Sequence, residues 1–150
     1  MAQLTAMRWR GTRAAIAHIG STRAYMLRDG RLTQLTRDHT YGQLLLEEGI
    51  ITPGQMGSDR RHTSVLVRWL DGRRGAPAEI TAHEAAIGDR YVLCTGLSRV
   101  MPERVFLDTV RGAAGSGQDL ADELAGLASP AAAPYDQFTY VVADVTEQPR

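Results

Sequence analysis

The first third of the chain sets hydrophobic residues in short runs cut by turn-forming pairs, the pattern of strands. "QLTAMRW" and "RAAIAHI" flank a turn at Arg10-Gly11-Thr12, and the second run is apolar on both faces, which places it inside a layered structure. "RAYMLRDGRLTQLT" predicts two more strands around Asp29-Gly30, a pair suited to the positive φ angles of a tight hairpin. Together these runs predict an antiparallel meander. At Thr40 the period changes: a capping threonine, "YGQLLLEE" and then Gly49 predict a helix. "ITPGQMGSDRRH" reads as an exposed flap with at most one short helix, begun by Thr52-Pro53, and "TSVLVRWLDG" fits helix and strand equally.

"AEITAHE" and "DRYVLCT" predict two strands joined by a Gly88-Asp89 turn. "MPERVFLDTVRG" predicts a helix stopping at Gly112. Ser116 with Asp119 forms a capping box for "GQDLADELAGLA", whose Leu120, Leu124 and Leu127 make one apolar stripe. "FTYVVADV" closes the chain as a strand. No repeat or long linker divides the sequence, so residues 1-150 read as a single α+β domain.

Composition narrows the function classes. Seventeen basic residues, all arginine, offset seventeen acidic ones, so no net field favours nucleic acid, anionic membrane or acidic substrate. The arginines at 8, 10 and 13 read as a solvated strand edge without the interleaved aromatics of a nucleic-acid platform. Cys94 alone allows no internal disulfide. No apolar run is long enough to span a bilayer and the start has no secretory core, which predicts a cytoplasmic protein.

The reactive side chains give few positive signals. Cys94 and Arg99 are separated by four residues, one short of the cysteine-phosphatase loop, and Cys94 reads as a buried strand residue. His18, His39, His62 and His83 lie on separate segments without i, i+4 pairing, which argues against a histidine zinc site; His18 reads as a core or layer-edge residue. Ser21 lacks the frame of a nucleophile elbow. Asp38 and Asp136 sit at loop-to-strand junctions, where an aspartate ordinarily serves a turn or cap.

Taken in order, "AHIGSTRAYMLRDGRLTQLTRDHT", "LLLEEGIITPGQ", "GDRYVLCTGLS" and "YDQFTYVVADV" resemble consecutive motifs of the metal-dependent protein serine/threonine phosphatases, the type 2C or PPM family, in its bacterial form. The resemblance runs from about residue 4 to 145. It implies a four-layer αββα fold, two antiparallel sheets face to face with helices outside each. It also implies a pair of Mg or Mn ions, about 4 Å apart, that activate a bridging water for attack on phosphoserine or phosphothreonine; several carboxylates must offset their charge.

Set residue by residue against the family motifs, most of those carboxylates are replaced. The family's Gly-Asp-Ser-Arg corresponds to Gly20-Ser21-Thr22-Arg23, with Ser21 in an aspartate's place. Its Cys-Ser-Asp-Gly-Leu corresponds to the shorter Cys94-Thr95-Gly96-Leu97, without the metal-binding aspartate. Its closing Asp-Asn corresponds to Asp136-Gln137, which leaves Asp136 as the single matching metal ligand. The family's opening segment, which carries a phosphate-binding arginine and a bridging aspartate, has no counterpart in this sequence.

The resemblance therefore predicts a domain incomplete at its N-terminus, with weak or absent Mg or Mn binding and no catalytic residue of its own, acting as a binding or regulatory module. The alternative is an active phosphatase completed by a second chain, or one using Asp38, Asp59 or Asp89 as substitute ligands; Asp38 and Asp89 match positions where turn and capping duty is expected. A third reading has the flap at about residues 51 to 61 docking a partner. The implied partners are a phosphoprotein or kinase-pathway protein, a second copy, or a complementing chain.

Overall fold

The computed structural model describes residues 2–72, 77–95, 101–127 and 138–146. Among the described residues, seven strands form two antiparallel sheets. The first holds β1 (Leu4–Arg10), β2 (Arg13–Ile19) and β5 (Glu79–Glu84) in the order β1-β2-β5. The second holds β3 (Arg23–Arg28), β4 (Arg31–Gln34), β6 (Arg90–Cys94) and β7 (Tyr140–Asp144) in the order β4-β3-β6-β7. The hairpin turns form where the sequence places them: Asp29 and Gly30 both take positive φ, at 50° and 75°.

The sheet assignment departs from the predicted meander. β2 and β3 are consecutive yet lie in different sheets, because the chain turns out of the first sheet at Gly20. β5 and β6 are likewise consecutive, and the Gly88-Asp89 turn carries the chain across the sandwich without closing a hairpin. A hydrophobic pattern of period two says which face of a strand is buried but not which neighbour it pairs with.

Two apolar layers hold the molecule. Between the sheets, Met7, Trp9 and Ala14 face Met26, Tyr91, Leu93 and Ala143. Trp9 meets the edge of Tyr91 at 5.6 Å between ring centroids and an interplanar angle of 77°. On the far side of the second sheet, α3 (Glu103–Gly112) and α4 (Gly117–Leu127) lay Phe106, Val110, Leu120 and Leu124 on Tyr25, Val92 and Cys94. The capping box at the start of α4 forms in both directions: Ser116 N donates to Asp119 Oδ2 at 2.7 Å and Asp119 N to Ser116 Oγ at 3.2 Å. Leu127 leaves the predicted stripe and is exposed, because α4 ends there.

The flap carries more structure than its composition suggests. α1 (Tyr41–Glu47) is capped by Thr40 Oγ1, which accepts from Gln43 N at 3.3 Å. Pro53–Gln55 forms one 3₁₀ turn, and a second short helix, α2 (Arg60–Ser64), is capped by Asp59, so the expectation of a single short helix is corrected. α1 and α2 pack where Gly42 meets His62; a Cβ at Gly42 would lie 2.5 Å from the His62 Cβ, so a larger residue would force them apart. The ambiguous run after Ser64 is neither helix nor long strand: it makes two isolated bridges, Thr40 with Leu66 and Ala2 with Leu70.

Candidate functional site

One end of the sandwich gathers the residues that the motif comparison singles out. In the register of β3 and β6, Arg23 lies opposite Cys94, so the Gly20–Thr22 corner before β3 and Thr95 after β6 occupy the same end of the second sheet. Gly20 makes the corner at φ 110°, and a Cβ there would lie 2.6 Å from the Gln3 side chain. Gln3 Oε1 accepts from Ser21 N at 2.5 Å and from Ser21 Oγ at 2.9 Å. Thr95 is tied across to the start of β7: its N donates to Thr139 O at 2.9 Å and its Oγ1 accepts from Thr139 N at 3.0 Å. Both hydroxyls are thus spent on holding chain segments together.

Beside this corner, the Arg23 guanidinium grips Asp38 through Nε at 2.9 Å and Nη2 at 2.7 Å, a two-point contact of the strong kind. Its remaining nitrogen, Nη1, donates to Tyr25 Oη at 3.1 Å and to Glu103 Oε1 at 2.5 Å. Burial works against charge on Arg23, but the Asp38 carboxylate outweighs it and raises the arginine above its ordinary value. Asp38 therefore serves an ion pair rather than the expected turn. Cys94 lies beneath, 4 % exposed, and burial pushes its thiol up to about 12, which makes it a small core hydrophobe as predicted.

The structure also brings together two histidines that no spacing rule connects. The His18 and His39 rings lie 4.8 Å apart, both 2 % exposed. His18 Nε2 faces the Arg37 carbonyl at 2.9 Å, which can only accept, so Nε2 carries the proton and Nδ1 accepts from Thr5 Oγ1 at 2.9 Å. Gly20 N donates to His39 Nδ1 at 3.1 Å, so the His39 proton sits on Nε2, directed at Glu79 Oε2 3.2 Å away. Burial, followed by the nearby His39, lowers the His18 pKa. Both rings are neutral members of a hydrogen-bond chain that fixes the Gly20 corner. The signal for the pair lies in the cross-strand geometry of β2 and the loop before α1, which a linear search for i, i+4 histidines does not test.

The other two histidines serve as structural partners. His62 Nδ1 meets the Gln55 and Met56 carbonyls, each at 3.2 Å, and His83 Nε2 meets Tyr91 Oη at 3.0 Å.

The remaining substitute ligands are engaged elsewhere. Asp59 caps α2, accepting from Arg61 N at 2.9 Å, and pairs with the Arg61 guanidinium at 2.6 Å; those bonds hold it down at about 2. Asp89, whose side chain is fully buried, accepts from Arg28 Nε and Nη2 at 2.6 Å each, from Ala86 N at 2.8 Å and from Tyr91 Oη at 3.1 Å. Burial alone would raise Asp89, but Arg28 and the two other donors together hold it below its ordinary value. Asp38, Asp59 and Asp89 thus stand in three separate places, each against an arginine, and the fold does not converge them. Asp136, the single motif-matched ligand, lies outside the described residues, as do Gly96, Leu97 and Arg99.

A pair of divalent ions brings four positive charges and needs carboxylates free to face them. At the described strand end the side chains on offer are neutral Ser21 and Thr95, an Asp38 already paired, and Glu103 on the same arginine. Among the described residues no three His, Cys, Asp or Glu side chains gather as a metal-holding group. These residues do not fit the two-ion centre.

Two kinds of comparison place the chain. It is 40% identical over 145 residues to the serine/threonine protein phosphatase PstP of Mycobacterium tuberculosis, an alignment covering 96% of this chain. The crystal structure of that phosphatase superposes with a TM-score of 0.79 at 36% identity, over 97% of this chain. The chain is homologous to the PPM serine/threonine phosphatases over nearly its whole length. A second PstP structure, of the catalytic domain in complex with two manganese ions, matches at 38% identity with a TM-score of 0.79. The PPM phosphatase MsPP of Mycobacterium smegmatis matches at 26% identity with a TM-score of 0.72. No protein-family model matches the chain. It spans 27% of the full PstP sequence and about 60% of the solved PstP chains. The α+β fold of two antiparallel sheets with helices agrees with the family's architecture. No described helix is long and apolar enough to cross a membrane.

Proposed function

We propose that this PPM-like domain has no independent phosphatase reaction and serves as a binding or regulatory module. The observation that carries the reading is the pairing of Asp38 with Arg23 beside two neutral residues, Ser21 and Thr95, at the strand end where the family motifs place aspartates. A carboxylate bound at two points by a guanidinium has little charge left for a cation, and removing it from that arginine would leave Nε and Nη2 of a partly buried guanidinium without their acceptor. Asp136 alone supplies one carboxylate, so Mg or Mn binding at best weak follows from the same electrostatics.

The test is turnover of p-nitrophenyl phosphate and of a phosphothreonine peptide by the purified chain with manganese, beside titration calorimetry with manganese alone. The expected result is no metal-dependent turnover and binding no tighter than millimolar. Manganese-dependent turnover that disappears in Asp136→Ala would overturn the proposal, and tight two-site binding would contradict its electrostatic basis.

A further inference from the structure

The Gly20 corner is held by an acceptor that can become a donor, and we infer that His39 is an acid-operated latch, which lets go of the Gly20 amide when its ring takes a second proton. The corner and His39 exchange two bonds: His39 N donates to Gly20 O at 2.7 Å, and Gly20 N donates to His39 Nδ1 at 3.1 Å. The first joins main chain to main chain and is indifferent to pH. The second needs a bare ring nitrogen. A proton on Nδ1 would set one N–H against another, and a backbone amide cannot turn round to accept it. The Gly20 amide must then leave.

The neighbouring ring does not work in this way. His18 Nδ1 accepts from Thr5 Oγ1 at 2.9 Å, and a hydroxyl both donates and accepts. With a proton on His18 Nδ1, the Thr5 hydroxyl can rotate to accept from it and donate to Thr22 O, 3.2 Å away. Two charged rings 4.8 Å apart would also repel, so a proton on one ring opposes a proton on the other. The two histidines share their burial and differ in the group each faces. Only His39 faces one that cannot adapt.

The groups around His39 let the ring stay while the corner moves. Glu79 Oε2, on β5, accepts from His39 Nε2 at 3.2 Å and would hold the charged ring in place. Glu79 also meets Arg37 Nε at 3.6 Å, and Arg68 Nη1 lies 3.4 Å from His39 Nε2, so two guanidiniums oppose the added charge. Arg37 is shared with Glu47 of α1 at 2.9 Å, and Asp38 is held by Arg23. Val67 N donates to His39 O at 2.9 Å through the main chain alone, which leaves the segment after the flap outside the latch. What moves is Gly20, with Ser21 behind it at the strand end. The unlatched form binds one proton more than the latched form, so falling pH favours it. Acid thus changes that end of the sheet whether or not the site there turns over phosphate.

The test is amide hydrogen exchange in the isotope-labelled chain between pH 7.5 and 5.5, with each rate referred to that of an unfolded chain at the same pH. Protection of Gly20 N should fall roughly tenfold further than that of Val67 or of the β6 amides. His39→Asn, whose Oδ1 can accept from Gly20 N and takes up no proton, should keep Gly20 protected at both pH values. His39→Ala should leave it open at both. Long-range nitrogen–proton spectra of the wild type report ring protonation directly and need no variant to fold. His39 should gain its second proton over the same interval in which Gly20 loses protection. Equal losses at Gly20, Val67 and β6 would mean that the fold loosens as a whole, and would overturn the inference. So would a Gly20 amide that stays protected throughout, or a His39→Asn chain that loses Gly20 protection as the wild type does.

Discussion

The two sheets of this molecule are built from similar strands and end in different circumstances. The outer face of the second sheet lies under α3 and α4, and Tyr25, Val92 and Cys94 on it are 2, 0 and 4 % exposed. No described helix packs in that way on the outer face of the first sheet, where Ile80 stands 73% exposed. What differs is whether the described chain supplies a partner for the apolar face. Apolar surface stabilises a fold only when something removes it from water. Among the described residues, folding free energy is therefore concentrated on the side of the sandwich that carries α3 and α4.

The sharpest test of that contrast is truncation under the helices. Phe106 is fully buried against Tyr25, with ring centroids 5.4 Å apart. Phe106→Ala should cost about 3–5 kcal/mol in a urea unfolding experiment, the usual cost of emptying an aromatic site in a core. A loss below about 1 kcal/mol would mean that the helices add little to the fold and that the two sheets are more alike than their burial implies.

Next in size is the buried ion pair at the end of β6. Asp89→Ala removes the carboxylate and leaves Arg28, Ala86 N and Tyr91 Oη without their acceptor. The expected loss is about 3 kcal/mol, at the low end for breaking a buried pair because the Arg28 side chain is 37% exposed and recovers some hydration. This change also separates structure from chemistry: were Asp89 a metal ligand, manganese would protect the wild type against unfolding, and we expect no such protection.

Much of this was legible in the sequence, for local reasons. The Thr40 cap, the Asp29-Gly30 turn and the Ser116-Asp119 box depend on residues within a few positions of one another, and all three form. The motifs that carry Ser21 and Thr95 lie far apart in the chain, and it is the pairing of β3 with β6 that brings Gly20 and Thr95 to the same end of one sheet. The sheet assignments of β2 and β5 were not legible, because pairing is decided by contacts between residues far apart in the chain. The same limit hid the His18-His39 pair and the Arg23-Asp38 grip, whose partners are 21 and 15 positions apart.

The histidine pair gives a pH-dependent test. In the unfolded chain His18 titrates near its ordinary 6.5, whereas burial and His39 lower it in the fold. The unfolded state therefore binds more protons between the two values, so the stability contribution is complete above about pH 6.5 and is lost as pH falls below it. His83, also lowered by burial, adds in the same direction. The urea midpoint should fall between pH 7.5 and 5.5, and less steeply in His18→Gln. Groups facing the pair are Arg37, Asp38, Glu79 and Arg68. A midpoint that is flat or rises on acidification would contradict the neutral tautomers assigned from the hydrogen bonds.

The smallest expected effect is the most informative about the open sheet. Ile80→Ser replaces an apolar side chain as bulky as many in the core, yet at 73% exposure little of it leaves water on folding. The change in stability should stay within about 0.5 kcal/mol, the range of ordinary surface substitutions. The pairing of β5 with β2 should persist, because the backbone bonds opposite Ala17 do not involve the side chain. A loss of several kcal/mol would mean that this face is already covered in solution by contacts of the chain itself. In that case the asymmetry between the two sheets fails.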